Sequence, residues 1–456
     1  MGEATASSDR DDDGAQAVRI GRRRLLGALG AAGALATLPG PAAPAAATSA
    51  AGPGVVRPGR RVVTGVEALA ARGWSDLAGQ RVGVVTNPTG ILPDLRHEVD
   101  VMVVGGAVDL VAVFGPEHGF RGTAQAGGSE GTYVDERTRV TVYDAYGADA
   151  DALAEMYRAA DVETVVFDIQ DVGSRFYTYV WTMYDAMVAA ARTGARFVVL
   201  DRPNPIGGHA RGPVMTTPFT TFVGKKEIVQ QHGMTVGELA RFFDAEFLPA
   251  EAGTRLSELH VVEVQGWHRD MVFADTGLPW VAPSPNMPTP DTALLYPGTA
   301  MFEGTLSSEG RGTTRPFEWI GDPGFDARWA EAVAAYDIPG VAVRECSFTP
   351  TSGKHVGVVC TGMQVHVTDP SRVEGITAAV AMLVEARRLY PQFTWRRDAW
   401  DVARPFWVDK LSGSTRLREM VDSGASVADV EAAWAGELDA FEQRRAPHLL
   451  YRGRRP

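Results

Sequence analysis

The chain has 456 residues, too long for one ordinary domain and enough for two, with 45% hydrophobic and 22% charged residues, a globular composition. A formal net charge of −12 lacks the basic footprint that displaces counterions from phosphates, so no nucleic-acid partner is expected. Two cysteines, Cys346 and Cys360, exclude a disulfide-dense scaffold and a cysteine-rich zinc module, leaving open either one bridge or two buried thiols.

The first 47 residues read as an export address. Gly21-Arg22-Arg23-Arg24-Leu25-Leu26-Gly27 leads into a weakly apolar stretch ending at Leu38, and Ala45-Ala46-Ala47 offers a small-residue cleavage site. That order matches a twin-arginine signal peptide over 1–47. The 14 residues from Leu25 to Leu38 are too few to span a bilayer, which takes about 20. Cleavage would remove five arginines and five acids and leave the net charge at −12. The protein is therefore expected to be exported, secreted or cell-wall associated, with no stable membrane anchor.

Beyond the leader one grammar repeats: a β-branched apolar run, a polar loop, then a helix. Runs at 81–86, 108–114, 162–167 and 196–200 end at Asn87-Pro88, Gly115-Pro116-Glu117-His118-Gly119, Asp168-Ile169-Gln170-Asp171 and Asp201-Arg202-Pro203-Asn204. Continuous apolar strands suit a parallel sheet covered on both faces. Helical spacing falls around 153–160 and 179–192, and Thr235-Val236-Gly237-Glu238 has the capping-box pattern of a helix running through Phe243. The expectation is an α/β fold: a Rossmann-like, doubly wound, mainly parallel sheet over residues 60–285. The proline-dense segment 282–290 marks a junction, followed by a smaller α+β domain over 286–456. There we expect strands including 356–360 and 363–367, a helix capped at Ser371 and running to about Leu389, and a last helix over 427–443.

In such sheets ligands bind beyond the carboxyl ends of the strands, and here those ends deliver acids and amides. No G-x-G-x-x-G follows a strand, and no Walker loop or H-E-x-x-H occurs. The nine histidines are scattered, so no metal or cofactor is expected. Carboxylate chemistry is the economical option, and glycoside hydrolysis needs an acid beside the leaving oxygen. Glu117 follows a buried strand by two residues in a loop stiffened by Pro116; a glutamate capping the next turn is its plain structural alternative. Asp168, Asp171, Arg175 and Tyr177 form a second cluster, either a local Asp–Arg pair or a sugar-binding face. Asp201 and Asn204 sit in a third loop with two prolines and two glycines, and Glu303, Glu309 and Arg311 interleave with glycines in a fourth.

Together these blocks resemble the exo-β-N-acetylmuramidase (NamZ-type) family of peptidoglycan hydrolases. The match rests on Pro116-Glu117-His118-Gly119-Phe120-Arg121-Gly122, on 168–179, 201–208, 296–299 and 302–317, in order, and extends from about Gly65 to the C-terminal tail. Phe114-Gly115 stands where relatives often have Phe-Ser. The resemblance implies a Rossmann-like catalytic domain, an auxiliary C-terminal domain and a cleft between them. It also implies removal of N-acetylmuramic acid from the non-reducing ends of peptidoglycan fragments, the expected partner, with Glu117 as the catalytic glutamate. His118 accompanies it in the substrate-binding set. Muramic acid carries a lactyl carboxylate, so a selective site should supply a cation, and Arg121, Arg175, Arg202 and Arg311 are the candidates. The second group is Glu303, Glu309, Asp168 or the substrate's own acetamide. A β-N-acetylglucosaminidase and a non-catalytic muropeptide-binding protein remain the alternatives.

Overall fold

The computed structural model describes residues 61–453; the expected twin-arginine segment lies outside the described residues. The four apolar runs and three further strands make a seven-stranded sheet. Its strands are β1 (Arg81–Thr86), β2 (Asp109–Gly115), β3 (Tyr133–Val134), β4 (Thr141–Asp144), β5 (Thr164–Asp168), β6 (Arg196–Leu200) and, after a small hairpin, β9 (Leu259–Val262). The spatial order is β3-β4-β2-β1-β5-β6-β9, and every pair is parallel except β3 with β4. The hairpin is β7 (Arg211–Val214) with β8 (Val229–Gln231).

The alternation of side chains explains why both faces had to be covered. Val82, Val84, Val166, Val198 and Leu200 face a core completed by Leu69, Trp74, Val99 and Met102 from helices Gly65–Ala71, Glu98–Gly105 and the turn between. Val85, Val165, Phe167, Phe197 and Val199 face the opposite core, built by helices Ala150–Ala159, Tyr179–Thr193 and Val236–Glu246. With neither face in water the strands read as unbroken apolar runs. The capping box at Thr235 is present, with Thr235 and Glu238 bonding each other's backbone N–H.

The smaller C-terminal domain carries a three-stranded antiparallel sheet, β10 (Trp319–Asp322), β12 (Cys360–Val367) and β11 (Val341–Phe348), in the order β10-β12-β11. Its helix Gly375–Leu389 packs on Pro290–Thr299 so closely that a Cβ at Gly298 would stand 1.9 Å from the Gly375 carbonyl oxygen. The second core continues through this domain, taking in Trp329, Met363 and Leu383.

Three expectations need correction. Residues 356–359 are not strand: His355 and Gly357 adopt positive φ (56° and 74°), which breaks extension, and pairing starts only at Cys360. The helix expected from Ser371 starts at Gly375 instead, because the Ser371 hydroxyl is turned back onto Asp369. The last helix is two, Val427–Ala432 and Ala435–Arg445, separated by the non-helical backbone of Trp434. Cys346 and Cys360 are free, and burial pushes both thiols up to about 11.

Candidate active site

A cleft of about 700 Å³, counting the solvent at its mouth, opens beyond the carboxyl end of the sheet, lined among others by Glu117, His118, Tyr177, Tyr296, Glu303 and Arg311. Contributions come from both sides of the proline-dense junction, which is itself held in place: the Asn87 amide and the Tyr179 hydroxyl both donate to the Pro283 carbonyl oxygen.

Glu117 owes its position to a strained loop. After β2 the chain turns at His118 (φ 72°) and Gly119 (φ 84°), and a Cβ on Gly119 would lie 2.2 Å from the Glu130 side chain. Glu130 gathers the N–H groups of Arg121 and Thr123 with the hydroxyls of Thr123 and Tyr133. Burial alone would raise its pKa, yet these donors hold the carboxylate below its usual range. His118 closes the loop, its N–H donating to the Gly128 carbonyl and its ring nitrogen Nδ1 lying 3.1 Å from the Ala124 carbonyl oxygen. The Glu117 carboxylate then takes the Gly127 N–H at 2.9 Å and the Thr178 hydroxyl at 3.2 Å, while remaining partly exposed to the cleft.

Opposite stands a charged group from the C-terminal domain. Arg311 donates to Glu303 at 2.6 Å and pairs with Glu309 at 3.3 Å, while Lys354 holds the other Glu309 oxygen at 2.8 Å. Glu303 and Arg311 line the cleft; Glu309 sits buried behind them. The Arg311 guanidinium also lies 5.0 Å from the Phe317 ring centroid, and Phe317 has φ 62°. Two of the non-glycine residues with positive φ, His118 and Phe317, thus line one cleft, as strained backbone at a functional site tends to. Tyr177 stands edge-on to Tyr179 and Tyr296 at 5.2 and 5.6 Å. Burial pushes the Tyr296 phenol well above its usual range, and Glu303 and Glu117 push the same way, so both acids lie within electrostatic reach of one hydroxyl.

The remaining sequence candidates are not in the cleft. Asp168 is fully buried in an ion pair with Arg202, beside a buried Glu98 whose pKa burial and the Asp168 charge raise well above normal. Asp171 accepts from the Gly173 N–H and lies 3.1 Å from the His232 ring nitrogen Nε2. Asp201 collects the N–H groups of Arg202 and Gly237 and the hydroxyls of Thr235 and Tyr451, tying the C-terminal tail to the sheet. Asn204 bridges Ile206 and Met234. Arg121 is spent on Asp100 and Asp135. Arg175 is completely buried, donating to the carbonyls of Pro213, Ile228 and Leu411, and burial without a counter-charge brings its pKa down to about 9. Of the four candidate arginines, only Arg311 reaches the cleft. Among the described residues no group of three or more His, Cys, Asp or Glu side chains is placed to hold a metal ion.

Residues 82–291 match the N-terminal part, and residues 294–451 the C-terminal part, of the exo-β-N-acetylmuramidase NamZ family. The chain belongs to this family. It is 42% identical over 393 residues to the peptidoglycan β-N-acetylmuramidase NamZ of Bacillus subtilis, covering 86% of this chain and 92% of the relative. Two crystal structures of DUF1343 family proteins from Bacteroides fragilis superpose with TM-scores of 0.75 and 0.67. They are 32% and 27% identical, cover 87% and 86% of this chain, and are themselves covered over 100% and 99% of their length.

Sequence reasoning missed several members of the cleft. Thr178 and Tyr179 directly follow the Asp168–Tyr177 cluster, and the Gly127 N–H closes the Glu117 loop; both were within reach of local pattern. Phe317 closes the 302–317 block of the family match, whereas Phe222 and Trp407 lie outside every block and had no local signal.

Proposed function

We propose that Glu117 is the general acid of the reaction that defines this family, release of N-acetylmuramic acid from the non-reducing ends of peptidoglycan fragments. The observation that carries the proposal is the state of the acids around the cleft. Asp168, Asp171, Asp201 and Glu309 are buried away from the cleft, which leaves Glu117 and Glu303 as the carboxylates lining it among the described residues. Glu117 is held in place by the Gly127 N–H and the Thr178 hydroxyl with no cation paired to it, and as the general acid it would pass a proton to the glycosidic oxygen. Glu303 is bound to Arg311 and lines the cleft, which suits it to stabilise an oxocarbenium-like transition state. Arg311 also fits the lactyl carboxylate that distinguishes muramic acid from glucosamine, because its Nη1 makes no hydrogen bond to the described residues. Export by the twin-arginine route belongs to the same proposal, supported by Arg22-Arg23 and the apolar stretch that follows.

The experiment that tests this reading compares two aryl glycosides. The purified protein should release 4-nitrophenol from the β-N-acetylmuramide and hardly at all from the β-N-acetylglucosaminide. Preference for the glucosaminide, or binding of muropeptides without turnover of either compound, would overturn it.

A further inference from the structure

The cleft has a second wall that none of the proposed catalytic steps uses. Phe222 and Trp407 line it with ring centroids 6.1 Å apart. Phe222 rides on a tight turn closed by the Thr221–Gly224 pairing and is 55% exposed, an unusual cost for a large apolar ring. Trp407 opens the helix Trp407–Ser412 and is only 7% exposed, yet its indole N–H has no hydrogen-bond partner among the described residues. Buried indoles ordinarily find one.

A third aromatic shares the Lys410 ammonium with Trp407, just outside the residues that line the cleft. Trp400 is 73% exposed, and its ring lies 4.4 Å from the Lys410 ammonium, which also lies 5.5 Å from the Trp407 ring. Lys410 is fully buried between Asp398 and Asp401. Arg404, in the same loop, pairs with Asp401 and donates to the carbonyls of Pro218 and Thr220, fastening the Trp400 loop to the turn that carries Phe222. The three rings therefore sit on one braced surface, with exposure rising from Trp407 through Phe222 to Trp400. Its cations, Lys410, Arg404 and the Arg396 guanidinium 4.8 Å from the Trp407 ring, are each paired with Asp398 or Asp401. The exposed aromatic faces beside them suit the C–H face of a neutral pyranose.

We infer that this wall binds the sugars on the reducing side of the scissile bond, beginning with the N-acetylglucosamine that leaves. The inference rests on the reading of the cleft as an exo-muramidase site. An exo-acting enzyme holds a single residue on the non-reducing side, so a surface that runs from the cleft into solvent serves the leaving chain. The substrate is then a glycan in which at least one ring beyond the muramic acid contributes to binding, with Trp400 reached only by longer chains.

The test measures kcat/KM for three substrates: β-N-acetylmuramyl azide, whose leaving group is too small to touch the wall, the N-acetylmuramyl-N-acetylglucosamine disaccharide, and the corresponding tetrasaccharide. Phe222→Ala should lower the disaccharide value relative to the azide value by about tenfold or more, the scale of one lost aromatic contact. Trp400→Ala should lower the tetrasaccharide value relative to the disaccharide value, and this exposed position keeps the test open if Phe222→Ala misfolds. Equal changes on all three substrates in both variants would overturn the inference alone. A wild-type protein inactive on all three would overturn the underlying reading and this inference with it.

Discussion

The Thr178 hydroxyl donates to Glu117 across 3.2 Å, joining the loop after β2 to the start of the helix that follows β5. Two strand-end loops are thereby locked to each other at the reacting group. Thr178→Val keeps the shape of the side chain and removes the donor. We expect kcat on the aryl muramide to fall by about tenfold to a hundredfold with a smaller change in KM, because a displaced acid loses transition-state alignment more than substrate affinity. Unchanged kcat would mean that Gly127 alone positions Glu117.

Arg311 is assigned the lactyl carboxylate. Arg311→Lys keeps a positive charge and can still meet Glu303, but it cannot form the planar two-point contact. KM for the muramide should rise by roughly tenfold while kcat changes less. A KM equal to the wild-type value would move recognition of the lactyl group elsewhere.

Arg175 tests a structural assignment. It is buried with three carbonyl partners and no counter-charge, bridging the turn after β5, the β7–β8 hairpin and the helix Trp407–Ser412. Arg175→Met should destabilise the protein by about 2–4 kcal/mol in denaturant unfolding, because it strands buried acceptors. Loss of muramide binding with unchanged stability would instead return Arg175 to the site.

Asp201 makes stability depend on pH. Burial pushes its pKa up to about 7, against hydrogen bonds from Tyr451, Gly237 and Thr235 that favour the charged form. The unfolded chain releases this proton near pH 4, so the native state binds the extra proton between about pH 4 and 7. The resulting stabilisation is complete below that window and is lost as the pH rises through it. Asp201→Asn should therefore shrink the difference in unfolding midpoint between pH 5 and pH 7.5. A difference as large as in the wild type would assign the dependence to other groups, with the buried Glu98 foremost.

Four inner strands of the central sheet were legible because burial on both faces leaves apolar runs within them, as in Val82–Val85 and Val165–Phe167, whereas β3, β4 and β9 toward the edges were not. Legible too was the block around Glu117, where proline, glycine and an acid share one short loop. The direction in which an acid points was not legible. Asp168 and Asp201 stand at strand ends just as Glu117 follows one, yet each is turned into the protein by partners far along the chain, Arg202 for one and Thr235, Gly237 and Tyr451 for the other. The arginines were ambiguous for the same reason. A guanidinium suits a substrate carboxylate, an aspartate such as Asp135 or a bare carbonyl such as that of Leu411, and only tertiary packing decides among them.

The most direct measurement of the central claim is turnover of 4-nitrophenyl β-N-acetylmuramide by Glu117→Gln, with thermal unfolding followed on the same sample. The substituted amide keeps one oxygen to accept from Gly127, can turn its NH2 toward the Thr178 hydroxyl as a donor, and has no acidic proton to transfer. We predict an unfolding transition like that of the wild type and a kcat lower by at least about a thousandfold. A folded variant with near wild-type turnover would contradict the assignment of Glu117 as the acid.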